Sequence, residues 1–209
     1  MPAHLIDLSH AIASGTITYP GLPAPAMTDH LSREASRANY APGTTFRIGR
    51  IEMVANTGTY IDAPSHRWEG EADVAALPLE GVADLEAIVV QGTRLTGQMV
   101  RGCAVLFRTD WSRFFGTPEY GRGHPFLTAE TAEQLVAGEA ALVGIDSLNI
   151  DDTNDLARPV HSRLLAAGIP IVEHLTNLDQ LPERHFRFFA APAKFIGMDT
   201  FPVRAFAIV

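Results

Sequence analysis

Asn56-Thr57-Gly58-Thr59-Tyr60-Ile61-Asp62-Ala63-Pro64-Ser65-His66 sets more polar side chains at a spacing that chemistry can use than any other stretch of the chain. If it begins extended, residues two apart fall on one face. Asn56, Tyr60 and Asp62 then point the same way, with Gly58 leaving room between them, so one wall carries an amide, a phenol and a carboxylate. Ala63-Pro64 ends the strand, because proline has no N–H for a ladder and fixes its own φ. His66 follows that bend, a base on a loop beside a carboxylate wall.

Working outward, Thr45 to Val54 alternates well enough to be a strand leading into this stretch, and Leu5 to Ser9 reads as a short first strand. Between them, Thr18 to Pro23 is broken by proline and glycine, and the region from about 15 to 42 is expected to be an irregular arm. Downstream, Arg67 to Gly70 looks like a turn with Trp68 as a packing residue, and Leu85–Val90 and Gly102–Phe107 read as strands. Cys103 lies in the second of these, as an expected buried structural thiol. Asp110, in a loop before Trp111, reads as a cap or turn residue. Thr128 is a helix N-cap with Gly138 closing the helix, and Ala140 to Ile145 is a buried strand. His161 precedes a helix over residues 162–167, with Gly168 as its stop and Ile169 to Leu175 as the next strand. The order strand, helix, strand predicts a mixed α/β domain.

On that last strand Ile169, Ile171 and Glu173 share a face. A carboxylate among Ile, Pro, Val and Leu cannot stay buried and unpaired, because that costs several kcal/mol or forces it to protonate. Glu173 therefore needs a cation, a donor or a metal. His174 points to the other side and reads as structural.

Composition narrows the field. The 209 residues are 46% hydrophobic and 19% charged, as in an ordinary globular protein of one domain. A net charge of −8 argues against nucleic acid or an anionic membrane as the main partner. The one cysteine cannot form an internal disulfide, and the N-terminus lacks a basic segment followed by an apolar core, so a cytoplasmic protein is expected.

The opening stretch resembles the signature of the cyclase-type metal-dependent hydrolases, which include bacterial kynurenine formamidase and isatin hydrolase and read His-x-Gly-Thr-His-x-Asp-x-Pro-x-His. Gly58, Thr59, Asp62, Pro64 and His66 match, whereas Asn56 and Tyr60 stand where the family has its first two histidines. His161 and Glu173, in His-x-x-Leu-Leu-x-x-Gly-Ile-x-Ile-x-Glu-x-Leu-x-Asn-Leu, are similar to the family's second metal-binding segment. Tyr19-Pro20-Gly21 resembles an aromatic-Pro-Gly segment that lies over substrate, although a surface turn with one packed aromatic explains it equally well.

The resemblance implies a single α/β domain over residues 1–209 with a β-rich, barrel-like central sheet, the swivelling β/β/α arrangement, in a homodimer or homotetramer. It further implies a hydrolase of a small amide, formamide or lactone, with Asp62, His161 and Glu173 holding one zinc or manganese ion per chain and His66 moving the proton. The family's first metal site is expected to be lost, since an amide oxygen and a protonated phenol are poor ligands. Strand parity makes Tyr60 a candidate hydrogen-bond donor to a developing oxyanion, and Tyr19 and Asn56 are expected to face the substrate. Two other readings stay open at this point: a metal-free acid/base enzyme built on the same residues, and a noncatalytic small-molecule-binding protein.

Overall fold

The computed structural model describes residues 4–209. In chain order its strands are β1 (Leu5–Asp7), β2 (Ala26–Leu31), β3 (Ile48–Glu52), β4 (Tyr60–Asp62), β5 (Leu85–Gln91), β6 (Ala104–Arg108), β7 (Leu142–Ile145), β8 (Ile171–Glu173), β9 (Arg184–Phe189), β10 (Thr200–Pro202) and β11 (Phe206–Ile208). The α-helical segments are α1 (Arg33–Ser36), α2 (Ala129–Ala137) and α3 (Pro159–Ala166). One mixed sheet runs β1-β11-β9-β5-β6-β7-β8-β4-β10 and curls into a half-barrel, the mixed α/β architecture expected from the sequence. Strands β5 to β8 are parallel and the flanking strands join them antiparallel. No helix among the described residues is long and apolar enough to cross a membrane.

Alternation along the central strands sorts side chains between two cores. Ala104 and Leu106 of β6 enter one core with Ile61, Val172 and Phe188, while Val105 and Phe107 enter the other with Leu135 of α2 and Val160, Leu164 and Leu165 of α3. Each fully buried aliphatic or aromatic side chain stabilises this packing by about 1.5–3 kcal/mol. The same parity decides where the polar groups go. Ile61 and Val172 face the first core, so Tyr60 and Asp62 on β4 and Glu173 on β8 face the α3 side.

Several local readings need correction. The opening stretch is not one strand: Gly58 adopts φ +69°, and a Cβ there would lie 2.6 Å from Ile12 Cγ1, so the extended segment starts at Tyr60 and Asn56 reaches the site from a loop. Helix α3 begins at Pro159, which puts His161 in its first turn rather than before it. The expected irregular arm carries β2, paired with β3 in a separate two-stranded sheet, and α1, capped by Ser32. The reason β2 escapes notice is that Ala-Met-Thr-Asp-His-Leu has no alternation, both of its faces being exposed. Cys103 is only partly buried, and its thiol, with a pKa raised by what burial there is, reaches the Arg101 carbonyl.

Candidate active site

The pairing of β4 with β8 sets Tyr60 opposite Glu173 and Asp62 opposite Ile171, and the first turn of α3 brings His161 over them. Asp62, His161 and Glu173 are all buried, and one ligand atom from each lies within 4.8 Å of the others. His161 Nε2 is 3.6 Å from Asp62 Oδ2 and 3.7 Å from Glu173 Oε1. The short turn after β4 places His66 at the rim, one third exposed, with Nε2 3.8 Å from Asp62 Oδ1.

Each of the three is held differently. Asp151 accepts the backbone N–H groups of Val160 and His161 at the start of α3, and its Oδ2 lies 2.7 Å from His161 Nδ1. That contact keeps the Nδ1 proton pointed away, so the Nε2 side faces the two carboxylates, the orientation that a carboxylate gives a metal-binding histidine. Glu173 accepts from the Tyr60 hydroxyl through Oε2 and from Ile150 N–H, at 2.6 Å, through Oε1. Asp62 is fully buried and neither of its oxygens has a hydrogen-bond partner.

Charges concentrated without water shift proton affinities. Burial works against a charged His161, yet its bond to Asp151 and the nearby negative charges of Asp62 and Glu173 outweigh it, and its pKa is raised to about 10. Burial also raises Glu173, to about 7, with Asp62 adding to the shift and His161, Tyr60 and Ile150 N–H opposing it. An orphaned buried carboxylate, an oriented imidazole and a second carboxylate form a hard, anionic donor set that fits a divalent cation.

The cluster floors a cavity of about 310 Å³, within the range of small-molecule sites. Tyr19, Asn56 and His66 line it together with Tyr60, His161 and Glu173, whereas the buried Asp62 sits behind them. Tyr19 is both cavity wall and packed aromatic, its ring 6.4 Å from that of His174. The Asn56 amide oxygen accepts from the Thr200 hydroxyl at 3.1 Å. Tyr60 donates its hydroxyl proton to Glu173, and burial, with Glu173 and Asp62, holds its pKa well above the usual phenol value. His174 is fully buried, with Nε2–H donating to the Leu148 carbonyl at 2.8 Å and burial lowering its pKa to about 3. Asp110 pairs with Arg108 outside the cavity, and Trp68 packs under Arg67 with its indole N–H on the Ser162 carbonyl.

Asp151, Asn149 and Arg158 were not foreseen. Asn149 Nδ2 lies 3.4 Å from Glu173 Oε2, and Arg158 lines the cavity. The pattern Asn149-Ile150-Asp151, two polar groups flanking an apolar one just after a buried strand, is the signal that could have found the first two.

A curled mixed sheet with a His-carboxylate-carboxylate cluster under a small cavity defines an α/β protein with a candidate three-ligand metal centre. Residues 6–152 match the family model described as "Putative cyclase", and the chain belongs to that family. It is 28% identical to a kynurenine formamidase of Salinibacter ruber, over 96% of this chain and 95% of that one. A kynurenine formamidase of Maricaulis maris is 26% identical over 97% of both chains. Among solved structures, isatin hydrolase A from Ralstonia solanacearum shares the fold with a TM-score of 0.79 and 24% identity over 99% of this chain and 92% of that one. A structure described as a predicted metal-dependent hydrolase from Bacillus stearothermophilus matches with a TM-score of 0.75 and 28% identity, covering 100% and 99%.

Proposed function

We propose that this protein is a hydrolase of a small amide, formamide or lactone, with one divalent ion, zinc or manganese, held by Asp62, His161 and Glu173. The observation that carries this reading is Asp62, a buried carboxylate with no hydrogen-bond partner on either oxygen, facing an imidazole already oriented by Asp151. The names of the relatives, kynurenine formamidase and isatin hydrolase, support hydrolysis of C–N bonds. A divalent ion in this donor set would supply Lewis acidity and lower the pKa of water at the cavity floor.

The chain's own residues do the rest. His66, exposed at the rim beside Asp62, takes a proton from the attacking water and returns it to the leaving nitrogen or oxygen. Tyr60 holds Glu173 in place, and Asp151 holds His161. Tyr19 and Asn56 on the walls position the acyl group and shield it from bulk water.

The protein acts on a small molecule as a homodimer or homotetramer. The β2–β3 ribbon supports this, because a lone two-stranded sheet is marginal in water and this one exposes Met27, Ile48 and Ile51. The function is tested by following turnover of N-formylkynurenine, formanilide and simple lactones after chelation and after zinc or manganese is restored. Metal-dependent turnover of any of them is expected. Undiminished turnover after chelation would move the chemistry to a metal-free acid/base site at His66.

A further inference from the structure

We propose that Arg158 determines substrate specificity by binding a carboxylate that the substrate carries away from its scissile carbonyl; this rests on the hydrolase reading above. The chain has a net charge of −8, yet two guanidinium groups, those of Arg67 and Arg158, line its cavity, and neither forms an ion pair among the described residues. Arg67 is already engaged at the rim, its Nε donating to Ser162 Oγ at 3.0 Å and its guanidinium stacked 4.4 Å over Trp68. Arg158 is different. Its Nη1 donates to the Asp152 carbonyl at 3.1 Å and it lies against the Tyr19 hydroxyl, where it opposes the upward pull of burial on the phenol. Arg158 lines the cavity, and those two contacts do not use all the donors of its five-donor fork.

The backbone fixes where that side chain starts. Arg158 sits at φ 46°, ψ 60°, a left-handed conformation rare in a side-chain-bearing residue, and Pro159 keeps it out of the right-handed region. Its carbonyl accepts from Ser162 N–H at 2.9 Å, so it is fixed to the first turn of α3, the turn that carries His161. The root of the Arg158 side chain is therefore fixed relative to His161 by one helix turn. Neither Asp62 nor Glu173 forms an ion pair with it among the described residues; both lie beside His161. A half-buried cation with free parallel donors matches a carboxylate in a two-point contact, which a lysine cannot reproduce.

The test compares formanilide with 2-, 3- and 4-formamidobenzoate, the same formamide with and without a carboxylate. The wild-type protein is expected to prefer at least one formamidobenzoate by about tenfold or more in kcat/KM. The Arg158→Gln substitution should lower kcat/KM for that substrate about 10- to 100-fold more than for formanilide, mainly through KM, and Arg158→Lys should recover part of the difference. Equal losses on charged and uncharged substrates, or no preference in the wild type, would overturn the proposal while leaving the hydrolase reading intact. If the wild type turns over none of the formamides, the hydrolase reading rests on the wider panel of amides and lactones, and calorimetric titration with benzoate decides the carboxylate site. Binding that is lost in Arg158→Gln at equal metal content supports the carboxylate site, and equal or absent binding in both proteins overturns it.

Discussion

Tyr60 and Glu173 stand directly opposite one another across the β4–β8 pair, and the phenol donates its proton to the carboxylate inside the sheet. The bond occupies the position of a histidine in the signature that this stretch resembles. It fixes one oxygen of Glu173 and leaves the other, shared with Ile150 N–H, on the side of His161 and Asp62.

Tyr60→Phe leaves Glu173 Oε2 with only the 3.4 Å contact from Asn149. Losing the partner of a buried acceptor costs about 1–3 kcal/mol, so the melting temperature falls. The lost donor had favoured the ionised carboxylate, so the pKa of Glu173 rises further and zinc affinity at neutral pH drops. Thermal unfolding and zinc titration on the same variant read both effects.

Asp151→Asn keeps the volume and removes the charge that holds His161 Nδ1–H. Metal affinity is expected to fall about 10- to 100-fold, the usual cost of losing such a partner. The start of α3 also loses a charged acceptor for Val160 and His161 N–H, with a stability cost of about 1 kcal/mol. Isothermal titration with zinc reads the first effect, and thermal unfolding of the chelated protein reads the second.

Proton linkage gives a third prediction. Without metal, His161 has its pKa raised from 6.5 to about 10 and Glu173 from 4.5 to about 7. Both raised values mean that the folded state holds protons more tightly than the unfolded one. The contribution of His161 is complete below pH 6.5 and is lost as pH rises through 10; that of Glu173 is complete below 4.5 and is lost through 7. The chelated protein therefore loses these contributions as pH rises from 4.5 to about 10. A bound cation needs both groups deprotonated, so zinc affinity rises over the same range and the alkaline loss disappears. Denaturant curves with chelator and with zinc at several pH values check the crossing.

The β2–β3 ribbon supplies a fourth. If its exposed apolar side chains are covered by a second copy, Ile51→Glu shifts the protein towards monomer, read by light scattering after size exclusion. An unchanged mass would show that the ribbon is not the contact.

Much of this site was legible because strand parity and burial leave marks in sequence. Glu173 stood out as a carboxylate in an apolar strand, and Tyr60 and Asp62 fell on one face two residues apart, as they do in β4. The strands Leu85–Gln91 and Leu142–Ile145 were legible for the same reason, being apolar runs packed in the sheet centre. What escaped depends on partners far along the chain. The bond from Tyr60 to Glu173 spans 113 residues, and strand parity alone does not name that partner. Asp151 acts through the N-terminus of α3, a boundary that shifted when Pro159 proved to open the helix. The strand β2, exposed on both faces, carries no burial pattern to read.

The central claim is that Asp62, His161 and Glu173 together hold one divalent cation, and elemental analysis of the purified protein tests it without any guess about substrate. After chelation and titration with zinc or manganese, the wild type is expected to take up about one ion per chain, and Glu173→Gln and Asp62→Asn to take up far less while still folding. A wild-type protein that binds no metal at any loading, or variants that bind it as well as the wild type, would contradict the account.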